Sequence, residues 1–325
     1  MYKYLFILSG LFLLTSCSSI AEHSNLPQCE SEAAYKTTDS YNDIKAVATK
    51  MIEKYGANKV LFASDIDNTL LTMDQYLGSD AWFLWQRKQL KRNKSDEPYK
   101  INTFQKLLNA QRLLFDISSM SPMEVQQPNL LNWFNSQGID TIFITSRGPG
   151  TLSSTMRELE NNGYKLNNKK FNIENSTRYL PYTEKSLSSL KLSYDELQKF
   201  RLLEKGDKCD INSLDLDECI KQARQNAFYN GLYMTSGQHK GLMLKLLLDT
   251  NSKKSSDYKA IIFIDDTLHH VIDMYDTFCG DKTEIALFNY IKSEQSNKAF
   301  EKMDKTPLIE KWVELKSSLS DFDLQ

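Results

Sequence analysis

Three short apolar runs, Val60 to Ser64, Thr141 to Ile144 and Ala260 to Ile264, punctuate the chain. None carries a charge, and none alternates apolar with polar as a strand with one wet face would. Each reads as a strand buried on both sides, the habit of a parallel sheet covered by helices. The longer segments between them space apolar residues three and four apart. That spacing predicts helices over Gln126 to Gln137, ended by Gly138, and over about Thr151 to Asn162, ended by Gly163. Further helices are predicted over Lys240 to Leu248 and over Leu308 to Leu319. Strands alternating with helices in this way specify an α/β fold with a Rossmann-like, mainly parallel sheet.

Two stretches interrupt the rhythm. Residues 77–114 have a helical pattern and hold Trp82, Phe83, Trp85 and Leu90 among many charges. They are expected to form a small helical cap, with Trp82 and Trp85, three residues apart, packing it. Residues 164–226 are polar and mixed in pattern and are expected as a second insertion.

The N-terminus changes where the molecule is expected to reside. Tyr4 to Leu14 is an apolar run of signal-peptide length, too short for a bilayer that needs about 20 residues. It ends in Leu14-Thr15-Ser16-Cys17, which resembles a bacterial lipobox. The expectation is a signal peptide over residues 1–17, cleaved ahead of a lipidated Cys17, a flexible tether over 18–38 and a folded domain over 39–325. Lipid chains on Cys17 would supply a stable anchor in the bacterial cell envelope. Ser18 in second place resembles outer-membrane sorting, and a secreted or soluble periplasmic protein is the alternative. Export permits disulfides. Cys209 with Cys219, and Cys29 with Cys279, are candidate pairs, buried thiols being the other reading.

Composition narrows the partners. With 41% hydrophobic residues, 25% charged residues and a net charge of −2, the chain has no electrostatic reason to seek nucleic acid.

The candidate chemistry sits where the strands end. Val60 to Ser64 delivers Asp65-Ile66-Asp67-Asn68-Thr69, two carboxylates one residue apart. In open α/β sheets, ligands bind beyond the carboxyl ends of strands. A carboxylate there can attack phosphorus and divide a hard hydrolysis into two steps. A second carboxyl can protonate the leaving oxygen and then deprotonate water. Taken alone, the pair reads equally as a calcium turn or a solvated loop. Three further segments join it. Ile142 to Ile144 runs into Thr145-Ser146-Arg147, a hydroxyl-rich end with a cation suited to phosphate oxygens. Lys240 stands at a predicted helix start, where a helix N-terminus already favours anions. Ile261 to Ile264 ends in Asp265-Asp266. Two like charges 4 Å apart repel by about 4 kcal/mol at an effective dielectric near 20. Four converging carboxylates therefore call for Lys240 and a hard divalent cation, Mg²⁺ above all.

In this order the four segments resemble the four motifs of the haloacid dehalogenase (HAD) superfamily, in blocks over about Lys59 to Val271. The resemblance implies Asp65 as nucleophile, Asp67 as acid/base, Thr145 on the phosphoryl group, and Lys240 stabilising nucleophile and phosphate. It implies Mg²⁺ held by Asp65, the backbone carbonyl of Asp67 and Asp266, with Asp265 assisting. Ser146 and Arg147 are candidate substrate contacts, a structural salt bridge being the equal alternative for Arg147. Asp at position 67 favours phosphatases or phosphotransferases over dehalogenases. Trp82 and the Tyr229-Asn230-Gly231 to Lys240-Gly241 stretch are similar to an uncharacterised HAD-like family of exported bacterial proteins. The implied activity is Mg²⁺-dependent hydrolysis of a small phosphomonoester through an aspartyl-phosphate. The rivals are phosphotransfer to an alcohol, a surface binding or host-interaction lipoprotein with little turnover, and a calcium-binding structural lipoprotein.

Overall fold

A computed structural model describes residues 35–90, 101–166, 171, 177–183, 187, 192–204, 219–250, 258–279 and 281–320. The expected signal peptide, Cys17, nearly all of the expected tether, Cys29 and Cys209 lie outside the described residues.

Ten strands are formed among the described residues: β1 (Lys36–Thr38), β2 (Val60–Ser64), β3 (Leu71–Met73), β4 (Met120–Pro122), β5 (Asp140–Thr145), β6 (Arg178–Tyr179), β7 (Asn226–Tyr229), β8 (Leu232–Met234), β9 (Ala260–Asp265) and β10 (Glu284–Tyr290). Eight of them make one sheet in the order β1-β10-β9-β2-β5-β8-β7-β6. From β1 to β8 every neighbouring pair is parallel. The strand order reverses about β2, which lies between β5 and β9. That reversal opens a crevice at the carboxyl ends of β2 and β9. The sheet is extended beyond β8 by the antiparallel strands β7 and β6. Asn230 and Gly231 turn β7 into β8 with φ of 48° and 100°, the left-handed pair that a tight hairpin requires.

The apolar runs divide their side chains between two cores because successive residues of a strand face opposite ways. Val60 and Phe62 join one core with Tyr41, Ile44, Leu131 and Phe134. Leu61 and Ala63 join the other with Leu242, Met243, Val271 and Met274. The first core is covered by α1 (Tyr41–Tyr55), α4 (Gln127–Gln137) and α5 (Leu152–Asn161). The second lies under α7 (Lys240–Thr250) and α8 (Leu268–Phe278). Gly138 ends α4 at φ 85°, the left-handed residue after the helix that its sequence announced.

Between β3 and β4 lies the segment expected as the cap. It holds α2 (Asp80–Leu90) and α3 (Phe104–Ile117), the helices that pack Trp82, Leu107 and Leu114 into a third cluster. Phe300 from α9 (Glu294–Lys302) and Leu308 and Trp312 from α10 (Thr306–Ser320) complete it. The rings of Trp82 and Trp312 meet edge to face at 5.5 Å. Within 164–226 the structure describes β6, β7, a short α6 (Tyr194–Lys199) and a bridge between Leu203 and Ile220. Cys219 and Cys279 are both disulfide-bonded.

One boundary moves. The expected tether reached residue 38, but Lys36–Thr38 form β1, in parallel register with Phe288 to Tyr290. The edge of β10 offers a row of backbone groups, and three polar residues pair with its last three.

Candidate active site

β2 and β9 run in register from Val60 opposite Ala260 to Ser64 opposite Ile264. The Asp65 N–H continues the ladder to the Ile264 carbonyl at 2.9 Å. Asp65 and Asp265-Asp266 therefore emerge side by side in the crevice. Immediately after Asp65 the chain makes one tight turn, the Ile66 carbonyl accepting N–H groups from Thr69, Leu70 and Leu71 at 3.2, 2.8 and 2.9 Å. Asn68 takes a φ of 56° within it, a left-handed conformation that Asn tolerates better than most residues.

Lys240 is the first residue of α7 and is wholly buried. Its Nζ donates to Asp65 Oδ1 at 2.5 Å and to Asp265 Oδ2 at 2.6 Å. Burial alone would discharge this amine, but Asp265 and Asp65 outweigh it and hold its pKa above the ordinary lysine value. One lysine is thus shared by two carboxylates. Carboxylate oxygens of Asp65, Asp265 and Asp266 all lie within 4.8 Å of one another.

The three carboxylates are not equivalent. Asp265 is fully buried, and its oxygens are already engaged. Oδ1 accepts from the Thr267 N–H at 2.9 Å, Oδ2 from Lys240, and His270 Nδ1 lies 3.2 Å from each. Burial pushes its carboxyl up, but Lys240 and then His270 overcome that and hold it down at about 2. Asp65 keeps Oδ2 clear of the lysine, and burial, with Asp265 and Asp67, pushes it up to about 8 against Lys240. Asp266, half-buried, is pushed up by burial, then by Asp265 and Asp65. Its N–H is fixed by Thr69 Oγ1 at 3.0 Å. Carboxyls that burial and one another push up at Asp65 and Asp266, with hard oxygen donors close together, make a group that a divalent cation such as Mg²⁺ suits.

Asp67 stands across the crevice with its side chain 28% exposed. Both its oxygens accept from Arg147, Oδ2 from Nε at 2.9 Å and Oδ1 from Nη2 at 2.7 Å. Arg147 also donates to Thr155 Oγ1 at 2.8 Å and lies 3.7 Å above the Phe115 ring of the cap. A guanidinium so fully committed is a partner of Asp67 and Phe115, the salt bridge that the sequence left open beside a substrate contact. Thr145, 1% exposed, accepts the Arg147 N–H on Oγ1 at 3.1 Å, and Ser146 is exposed beside it.

A family model described as "Protein of unknown function (DUF2608)" matches residues 37–324. The chain belongs to the DUF2608 family. Among solved structures, that of cytosolic 5'-nucleotidase IIIB bound to cytidine aligns with 87% of this chain and 93% of that one, at 10% identity and a TM-score of 0.30. No curated protein matches the chain.

The structure adds residues to this DUF2608 site that the strand-end motifs did not show. Asp80, the first residue of α2, is pushed up to about 6 by burial and by the charges of Asp67 and Asp265, and it acts in turn on Asp266. It is a fifth carboxyl, brought in by the cap. In the sequence it is one acid at a helix start, where the helix dipole already accounts for it. His270, in the first turn of α8, lies with Nδ1 against Asp265. His239 and Asp273, next to the lysine and within α8, had no strand-end position to mark them.

Proposed function

We propose that this protein is a HAD-type, Mg²⁺-dependent phosphohydrolase that works through an aspartyl-phosphate on Asp65. The observation that carries this reading is the buried Lys240 bridging Asp65 and Asp265 at the strand reversal, with Asp266 alongside. A structural ion pair has no need of a third carboxylate left uncompensated, whereas a nucleophile with a metal neighbour does.

In the proposed reaction Asp65 Oδ2 attacks phosphorus and the ester P–O bond breaks. The leaving oxygen takes a proton from Asp67. Water then attacks the aspartyl-phosphate, giving its proton to Asp67 and releasing phosphate with the Asp65 carboxylate restored. Lys240 offsets the charge on nucleophile and phosphoryl oxygens. The Thr145 hydroxyl, with Ser146 beside it, would donate a hydrogen bond to a phosphoryl oxygen. Asp65, Asp266 and the Asp67 backbone carbonyl would hold Mg²⁺, which supplies positive charge to the phosphoryl oxygens. Asp265, with its oxygens engaged, orients Lys240 and assists the metal site indirectly. The substrate is a small phosphorylated metabolite admitted under the cap.

The same reading places the protein in the bacterial cell envelope, anchored through lipid on Cys17. The lipobox-like sequence supports this, as does the disulfide-bonded state of Cys219 and Cys279, which fits an oxidising compartment. Among the described residues no helix is long and apolar enough to cross a membrane.

One observation favours a second reading, a HAD scaffold that binds with little turnover. Asp67 must leave or share Arg147 to exchange a proton, and both its oxygens are held. Phosphate release from a panel of monoesters, by protein lacking residues 1–17, decides between them. Release that requires Mg²⁺ and vanishes in Asp65→Asn is expected; release that survives Asp65→Asn sinks the mechanism, and Mg²⁺ binding without release favours the scaffold. An alcohol added as acceptor separates hydrolysis from phosphotransfer.

A further inference from the structure

Lys240 reaches Asp65 and Asp265 from the first position of α7, so the placement of that helix end sets the geometry of the centre. The end is held on two sides. Gly241 abuts α8 so closely that a Cβ there would lie 2.3 Å from Thr277 Oγ1 and 2.4 Å from the Asp273 carbonyl oxygen. His239, the preceding residue, is 3% exposed. Its Nδ1 accepts the Leu242 N–H at 3.1 Å, and its carbonyl accepts the Met243 N–H at 2.9 Å. An imidazole thus caps the helix, where Ser, Thr, Asp or Asn is usual.

The accepting Nδ1 places the ring hydrogen on Nε2. That atom is buried 3.2 Å from Asp273 Oδ1, out of alignment for a hydrogen bond. Asp273 Oδ2 is taken by Arg201 from the second insertion. Phe200, also from the insertion, packs its ring edge-on to the imidazole at 5.2 Å. A continuous chain of contacts therefore runs from the half-exposed Arg201 through Asp273 and His239 to the helix end bearing Lys240. Burial and then Arg201 hold His239 down at about 3, so the capping imidazole is neutral at neutral pH.

We propose that His239 is a positioning residue for Lys240, and that Asp273 and Arg201 tie the second insertion to that task. The inference rests on the phosphate-binding role proposed for Lys240. His239→Phe keeps a ring against Phe200 but offers no acceptor to Leu242, and Arg201→Met changes a side chain that is 47% exposed. The measurement is the affinity for inorganic phosphate with Mg²⁺ present, by calorimetry, with the thermal midpoint taken alongside. About a tenfold loss is expected in His239→Phe and a smaller one in Arg201→Met, with midpoints near that of the parent. Lys245→Met, farther along α7, should change nothing.

A structural role would weaken phosphate binding whatever stands at position 240. In a Lys240→Met background the His239→Phe loss should therefore disappear. An equal loss in both backgrounds overturns the proposal, as does unchanged affinity in His239→Phe. If Lys240→Met does not fold, turnover decides, read well below the midpoint: a lowered kcat at constant KM supports positioning, and an unchanged kcat overturns it. Parent protein that binds phosphate but releases none from any ester would remove the hydrolase reading and leave the binding test standing.

Discussion

Arg147 closes on Asp67 with two hydrogen bonds, Nε to Oδ2 at 2.9 Å and Nη2 to Oδ1 at 2.7 Å. The same guanidinium covers Phe115 of the cap. The candidate acid/base is therefore oriented by a residue that also senses where the cap sits. A lysine cannot span both oxygens or stack as a plane. Arg147→Lys is expected to cost about 1–3 kcal/mol in chemical denaturation, and to lower kcat about tenfold or more through misplacement of Asp67. Turnover unchanged by this substitution would show that the fork plays no part in the reaction.

Asp80 brings a negative charge from the cap toward the site. A phosphate monoester must approach against it. Asp80→Asn should lower KM for a small anionic monoester by about fivefold, the equivalent of roughly 1 kcal/mol, with kcat changed less. Steady-state kinetics on one substrate suffices, and a raised KM would instead mark Asp80 as a group that binds the leaving portion.

The cap depends on the end of the chain. Trp82 is fully buried against Trp312 of α10. Trp312→Ala is expected to cost about 3–5 kcal/mol by leaving a cavity in the third cluster. If urea unfolding shows a loss below about 1 kcal/mol, ordinary for an exposed site, the C-terminal helices do not hold the cap.

Glu284, at the start of β10, accepts from Lys54 Nζ at 2.6 Å and from Tyr55 Oη at 2.5 Å. These bonds hold its carboxyl below the ordinary value of 4.5. A depressed acid contributes stability above its unfolded pKa and loses it as pH falls through the folded one. Glu284→Gln should therefore be less stable than the parent at neutral pH, by at most about 1 kcal/mol for so exposed a pair. The difference should close below about pH 4. A difference that grows on acidification would reverse the sign and refute the assignment.

Much of the centre was legible because parallel strands are buried on both faces and end in their functional residues. Val60–Ser64 matches its expected bounds, and Asp65, Thr145 and Asp265 follow from where the apolar runs stop. Lys240 was legible as a helix start. Residues whose roles depend on another element were not. Asp80 joins these acids only through the placement of α2. The commitment of Arg147 to Asp67 spans 80 positions, and no local pattern records such a pairing. β1 was lost in a polar stretch, since three residues at a sheet edge carry no periodicity. β10 was missed although Ile285, Leu287, Phe288 and Tyr290 are buried, because its apolar run of four stops at Asn289.

In the proposed reaction Asp65 becomes phosphorylated. Acid quenching during turnover of a monoester with Mg²⁺, followed by peptide mass spectrometry, reads this directly. The mass of one phosphoryl group on the peptide carrying Asp65, lost on treatment with hydroxylamine and absent from Asp65→Asn, is the predicted result. Sustained phosphate release with no phosphoryl group ever found on Asp65 would contradict it.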